Sequence, residues 1–213
     1  MTPSSPSSPL KRLVVATGNP GKLREFRALL AGLPFEVVAQ SELGVPAAEE
    51  TGATFAANAL LKAHHAASAT GEAALADDSG LEVDALGGAP GVFSARYAGA
   101  GASDAANNEK LLAALGDRPP AARGARYRCA LALVAGPDDL EPTVVEAAWE
   151  GVILDAPRGT GGFGYDPLFW LPEQAATAAQ LPAEEKNRLG HRGRAFAALR
   201  ARLAEPGASA GPR

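Results

Sequence analysis

Acidic pairs stand at two places where hard-oxygen chemistry is conceivable: Glu49-Glu50 before Thr51-Gly52, and Asp77-Asp78 before Ser79-Gly80. Magnesium usually takes only one or two protein carboxylates and fills its octahedron with waters and phosphate oxygens, so one glutamate and one aspartate are enough. A carboxylate beside such a metal also accepts a proton from water, generating the nucleophile for phosphoryl or nucleotidyl transfer. Each pair has a plainer use as well. Asp-Ser-Gly forms Asx turns, and acids before a helix complement its dipole.

The run VVATGNPGKLREF, residues 14–26, ends an apolar stretch in a Gly-Pro-Gly-Lys turn and restarts as a helix. Free amides and the helix dipole favour phosphate at such a place. It is not a P-loop: Gly18 stands only three residues before Gly21, and Lys22 is followed by Leu23, which offers no oxygen to a metal. An ordinary βα turn with a surface lysine would look the same.

In GTGGFGYDP, Gly159, Gly161 and Gly164 satisfy G-x-G-x-x-G, but the context excludes a dinucleotide fingerprint. That motif must open a helix, whereas Tyr165-Asp166-Pro167 follows here and LFWLP reads as a strand. Such a loop can instead bring backbone close to a planar base with Phe163 stacked on it, or Phe163 and Tyr165 can simply cap the core. The segment EEKNRLGHRGRAF gathers Lys186, Arg188, His191, Arg192 and Arg194 within nine residues. Charge clusters of this kind are commonly solvated faces. His191-Arg192-Gly193, however, interrupts a helical pattern that resumes at Arg194, so these side chains are expected to point into a cleft. With Lys22 and Lys62 they supply several cations for one polyanion. His64 and His65 have no metal-ligand spacing and read as helix-surface residues.

The elements that must position these groups follow from periodicity. Apolar runs at Leu13 to Ala16, Phe35 to Ala39, Ala73 to Ala76, Arg126 to Ala135 and Val144 to Ile153 read as strands. Helix-period segments run from Pro20 to about Ala31 with Asn19 as N-cap, from Thr54 to Ala69, from Ser103 to Leu115, and from Arg194 to Leu203. Leading βαβ units followed by two long hairpin-paired strands give an α/β protein with a mixed sheet flanked by helices. On this reading Ala73 to Ala76 ends at Asp77, which would set both aspartates at a strand's C-terminal edge, where ligands bind in open α/β sheets.

At 213 residues the chain suits one compact domain over 11–204, between a disordered leader (1–10) and tail (205–213). No run approaches the roughly 18 apolar residues of a membrane span. The net charge of −4 gives no reason to expect a nucleic-acid polymer as partner. The lone Cys129 lies in an apolar strand and, with no signal-like leader, argues for the cytoplasm.

Taken as a set, TGNPGK, EETG, the helix ending in LKA, DDSGLEVDALGGAPGVFSARYAG, GTGGFGYDPLF and EEKNRLGHRG closely resemble the inosine/xanthosine triphosphate pyrophosphatases, over roughly residues 12–203. The resemblance implies an elongated mixed sheet with flanking helices forming two lobes around a central cleft, and a homodimer. It implies magnesium-dependent hydrolysis of ITP, dITP and XTP between the α and β phosphates, giving nucleoside monophosphate and pyrophosphate. Carried over by motif, Thr17, Gly18, Asn19, Pro20, Gly21 and Lys22 would hold the triphosphate, and Lys62 matches a phosphate-region lysine. Glu50 and Asp78 would hold the metal, with Asp78 also the proton acceptor. Ser79 would contact substrate, Phe163, Gly164, Tyr165 and Asp166 the base, and Lys186, His191 and Arg192 both base and phosphates.

One position departs from the pattern: Ala57 stands where many members carry glutamate, so no metal or water contact comes from there. Donors from Arg192, His191 or loop amides would pair with the six-oxo group of hypoxanthine or xanthine and go unpaired against adenine. Guanine keeps that oxygen, and no residue is identified that excludes it. A pyrophosphatase for modified pyrimidine nucleotides would share the phosphate and metal groups, and a non-catalytic nucleotide-binding protein would not need Glu50 and Asp78 together.

Overall fold

The computed structural model describes residues 11–204, so the expected leader and tail lie outside the described residues. Seven strands form one mixed sheet in the order β2-β1-β3-β4-β5-β6-β7. They are β1 (Lys11–Ala16), β2 (Phe35–Ala39), β3 (Ala73–Val83), β4 (Gly124–Val134), β5 (Thr143–Ile153), β6 (Phe169–Leu171) and β7 (Ala176–Thr177). β1 pairs in parallel with both β2 and β3, and the remaining neighbours are antiparallel. The helices are α1 (Pro20–Leu29), α2 (Phe55–Thr70), α3 (Asp104–Leu115), α4 (Ala183–Leu189) and α5 (His191–Ala204). The mixed α/β sheet expected from the sequence is the one observed.

Period-two alternation assigns each strand face to a different helix layer. Val14, Ala16, Ala74, Ala76, Ala130 and Ala132 pack with Ala59, Ala63, Ala66 and Ala67 of α2, small side chains on both surfaces. Leu13, Val15, Leu75, Cys129 and Leu131 turn the other way, against Phe26 and Leu30 of the α1 segment and Phe196 and Leu199 of α5. A third cluster joins Leu111 and Leu115 of α3 to Tyr127, Trp149, Tyr165 and Phe169. Asn19 caps α1 as expected, its Oδ1 accepting from the amides of Gly21 and Lys22; Ser103 Oγ accepts from the Ala106 amide at the start of α3, and Thr54 Oγ1 from the Ala57 amide at the start of α2.

Two expectations are corrected. β3 does not end at Ala76; it continues through the polar DDSG to Val83, because β4 pairs with it without interruption from Ala74↔Val134 to Val83↔Ala125. The aspartates therefore lie mid-strand. What ends there is β1, whose last pair with β3 is Ala16↔Ala76. From Asp77 onward β3 keeps β4 on one side, while its other edge opens toward the loop after β1.

The basic segment is also more helical than its pattern suggests. Ala183–Leu189 forms α4, and α5 begins at His191 itself rather than at Arg194. Gly193 does not break α5; a Cβ there would collide with the carbonyl of Asn187, so glycine permits the tight α4–α5 corner.

Gly80 marks the closest approach to β3's open edge. A Cβ on it would press into Ser94 Oγ and lie 2.5 Å from the carbonyl oxygen of Gly91. Gly80→Ala is expected to lower unfolding free energy by about 1–3 kcal/mol through overpacking. Urea denaturation would show this as a reduced midpoint at unchanged slope, and an unshifted midpoint would contradict the contact.

Candidate active site

A cleft of about 320 Å³ lies along the open edge of β3. Because, among the described residues, no strand pairs with this edge from Asp77 to Leu81, both faces of the strand contribute to the cleft; beyond Leu81 the edge bridges Pro90 at Glu82. Asp78 leaves on the α2 side and Asp77 on the α1/α5 side, as alternation requires.

On the α2 side, the Lys62 ammonium lies 2.8 Å from Glu50 Oε1 and 2.9 Å from Asp78 Oδ1, so both carboxylates already share one cation. Arg96 takes the other oxygen of Glu50 at 3.1 Å. Asn58, wholly buried, donates from Nδ2 to Asp78 Oδ2 at 3.1 Å and accepts the Gly52 amide at 2.7 Å. Burial raises the Asp78 carboxyl above the usual range, more than Lys62 and Lys22 lower it. For Glu50 burial acts the same way, but Lys62 and Arg96 outweigh it and hold the carboxyl low.

On the opposite face, Asp77 is fully buried between Lys22 Nζ at 3.0 Å and Arg192 Nε at 3.0 Å. Burial opposes its ionisation, yet Lys22, Arg192 and Lys62 together hold it well below the usual carboxylate range. The remaining Arg192 nitrogens bind Glu25 Oε2 at 2.6 Å and Ser79 Oγ at 2.7 Å. Glu25 also takes Lys186 at 2.9 Å, and Lys186 reaches Asp166 at 2.6 Å. Arg192 is thus a strut between β3, α1 and α5, with all three guanidinium nitrogens engaged inside the protein.

The glycine loop before β6 closes the cleft from the far side. Asp166 accepts from the Phe163 amide at 2.8 Å and from the Tyr127 hydroxyl at 3.2 Å. The Phe163 ring has Lys186 Nζ 4.6 Å and the Arg192 guanidinium 5.5 Å from its centroid. The amides of Phe163, Gly164 and Asp166 all donate within the protein, which narrows the loop groups available to read a base. His191 stacks on Tyr127 at 4.6 Å, and its Nδ1 is buried without a hydrogen-bond partner.

Asn19, Lys22, Glu50, Asp78, Ser79, Phe163, Gly164, Tyr165, Asp166, Lys186, His191 and Arg192 all line this cleft. Thr17, Gly18, Pro20 and Gly21 belong to the adjoining loop without lining it, and Lys62 reaches in from α2. The amides expected to await phosphate are partly occupied: Asn19 Oδ1 takes those of Gly21 and Lys22, and Thr17 Oγ1 that of Asn19. In the basic cluster, Lys186, His191 and Arg192 turn inward while Arg188 and Arg194 are exposed. His64 and His65 are half-buried on α2, with His65 bonding the Pro46 carbonyl. Sequence reasoning missed Glu25, Asn58 and Arg96, and gave Asp77 no role of its own. An asparagine in the first turn of α2, beside alanines, was the one visible signal, since an amide buried there needs partners.

Residues 13–202 match the model of the Ham1 family, and the chain belongs to that family. It is 55% identical over 193 residues to a dITP/XTP pyrophosphatase of Methylococcus capsulatus, spanning 91% of this chain and 96% of that protein. A dITP/XTP pyrophosphatase of Yersinia pseudotuberculosis is 56% identical over 88% of this chain and 95% of its own length. Among solved structures, a HAM1 protein from Coxiella burnetii superposes with a TM-score of 0.83 at 46% identity, covering 92% of this chain and 100% of that one.

Burial pushes the His191 imidazole well below its ordinary 6.5, with Arg192 and Lys186 acting in the same direction against Asp77. The native state holds it neutral where an unfolded chain would protonate it. Its contribution is therefore intact above about pH 6.5 and is lost as pH falls further, by up to about 1.4 kcal/mol per pH unit. Between pH 7 and 5.5 the wild type is expected to lose about 1 kcal/mol more stability than His191→Phe. Equal losses in urea titrations of the two proteins would refute a neutral buried histidine.

Proposed function

We propose that this chain hydrolyses non-standard purine nucleoside triphosphates, ITP, dITP and XTP, to the monophosphate and pyrophosphate. The observation that carries the reading is the pair Glu50 and Asp78, distant in sequence yet sharing one cation beside a cleft lined with cationic and aromatic side chains. Family membership and the names of the relatives support the substrate class. The family resemblance further supports a homodimer and two lobes around the cleft, and the lone buried Cys129 supports a reducing, cytoplasmic location. Among the described residues no helix is long and apolar enough to cross a membrane.

The acidic residues fit a magnesium ion: two hard-oxygen carboxylates already converge on a single positive charge, the donor set that magnesium prefers. Magnesium, when bound, would neutralise phosphate oxygens and polarise water in the site. Glu50 and Asp78 would hold the ion, with Lys62 beside both carboxylates.

The rest of the reaction falls to side chains. Asp78, with its proton affinity raised by burial, accepts a proton from the attacking water. The water oxygen bonds to the α phosphorus, the bridging α–β bond breaks, and pyrophosphate leaves with the bridging oxygen's electrons. Lys22 and Lys62 stabilise the charge that develops on it. Asn58 holds Asp78 Oδ2, which fixes the orientation of the acceptor. On the base side, Phe163 to Asp166, Lys186 and His191 contact the purine, while Arg192 acts through Asp77, Glu25 and Ser79.

The test is incubation with magnesium and a panel of ITP, XTP, dITP, dUTP, ATP and GTP, scoring pyrophosphate against orthophosphate. Pyrophosphate from ITP, XTP and dITP is expected; orthophosphate as the primary product, or preference for dUTP, would overturn the reading. Asp78→Asn is expected to lower kcat by about 10²–10⁴-fold with nucleotide affinity changed only a few-fold. Near-normal turnover would remove Asp78 as proton acceptor.

A further inference from the structure

Gly164 sits at the turn of the glycine loop with φ of +61°, a left-handed conformation. Both of its backbone polar groups are held by side chains of one helix some 60 residues earlier in the chain. Its amide donates to Asp104 Oδ2 at 2.7 Å, with a sequence separation of 60 residues. Its carbonyl accepts from Asn108 Nδ2 at 2.9 Å. Asp104 and Asn108 are four apart on α3 and so project from the same face. Among the described residues the buried amide oxygen of Asn108 has no hydrogen-bond partner, and the bond to Gly164 orients this side chain.

Between them, the buried Asn107 holds the opposite wall. Its Oδ1 accepts from the Ala98 amide at 2.8 Å and its Nδ2 donates to the Ala95 carbonyl at 3.3 Å. That wall is in turn tied to the loop, because the Tyr165 hydroxyl donates to the Ser94 carbonyl at 2.8 Å. The first turns of α3 therefore grip both sides of the cleft; Asp104 and Asn107 border it themselves, whereas Asn108 does not.

We propose that Asp104 and Asn108 are specificity-determining positioning residues: they hold the loop of Phe163 to Asp166 at a fixed distance from the wall at Ser94 to Ala98, and thereby set which purine bases fit. The proposal rests on the function proposed above. A loop with glycines at positive φ at 159, 162 and 164 has little intrinsic rigidity, so its geometry must be imposed from outside. Selection between a six-oxo and a six-amino purine depends on donors held within a fraction of an ångström, which an unbraced loop does not supply.

The experiment measures kcat and KM for ITP and ATP in the wild type, Asp104→Ala/Asn108→Ala, Asp104→Ala and Asp104→Asn, together with melting temperatures. The double variant is expected to raise KM for ITP about tenfold, keep kcat within about twofold, and cut the ITP-to-ATP ratio of kcat/KM at least about tenfold. Asp104→Ala, at an exposed position, gives a smaller change of the same kind. Asp104→Asn, whose amide oxygen still accepts from Gly164, retains wild-type values. Unchanged KM and ratio in a folded double variant, or a loss confined to kcat, would overturn the brace. A wild type that releases no pyrophosphate from ITP would overturn the proposed function, and this inference with it; an active wild type with unaltered variants sinks the brace alone.

Discussion

The open edge of β3 is the constraint on which the site depends. Where β1 stops at Ala16, β3 runs on with β4 for support, so two adjacent aspartates can project to opposite sides of the sheet and still border one cleft. Alternation then gives them different surroundings. Asp77 meets Lys22 and Arg192 and is held firmly ionised, while Asp78 meets Lys62 and the Asn58 amide and binds its proton more readily. One strand thus places side by side a carboxylate locked in ion pairs and the one proposed as proton acceptor. A paired third strand at this point would have buried both edges and closed the cleft.

The charges bordering that edge are paired, with Asp104 on the far side of the cleft adding one more carboxylate. Glu25, Glu50, Asp77, Asp78 and Asp166 are met by Lys22, Lys62, Arg96, Lys186 and Arg192, each cation within an ion pair. Isolated charges at such depth would be costly, and removing one partner of a buried pair typically costs about 3–5 kcal/mol. The same pairing bears on function. A triphosphate entering this set brings negative charge that the existing pairs do not offset without giving up a carboxylate contact. A divalent cation arriving with the nucleotide would offset that charge, and it would find Glu50 and Asp78 already converging. The electrostatics of the cleft thus support the proposed metal dependence independently of motif.

Local features were legible in the sequence where local physics decides them. Asn19-Pro20 announces the start of α1, and the apolar periods of β1, β2, β4 and β5 survive into the fold. The path of β3 was not legible, because DDSG reads as a turn and only pairing with β4 makes it a strand. Gly193 was similarly read as a helix break, though its role is the approach of α5 to Asn187. Glu25 was hidden for a different reason. On α1 it looks like an ordinary surface acid near Lys22, whereas its partners Lys186 and Arg192 lie more than 160 residues away, with separations of 161 and 167. Local pattern carries no information about such pairs. The motifs located the site, and the charge network that fixes its geometry became visible only with the fold.

The two sides of the cleft are built to different standards of rigidity. The phosphate and metal side is made of a strand, helix N-termini and buried ion pairs, where geometry follows from regular hydrogen bonding. The base side is a glycine-rich loop, and a chain free to adopt left-handed conformations loses more entropy on being fixed than any other. That cost must be met by contacts outside the loop. Asp166 supplies one from within, by accepting the Phe163 amide, and Tyr127 and Lys186 then hold Asp166. α3 supplies the other, through Gly164. A small glycine loop permits close approach to a flat base, and the surrounding bonds convert permissiveness into a single shape. On the proposed function, discrimination among bases depends on what holds this loop as well as on what touches the base.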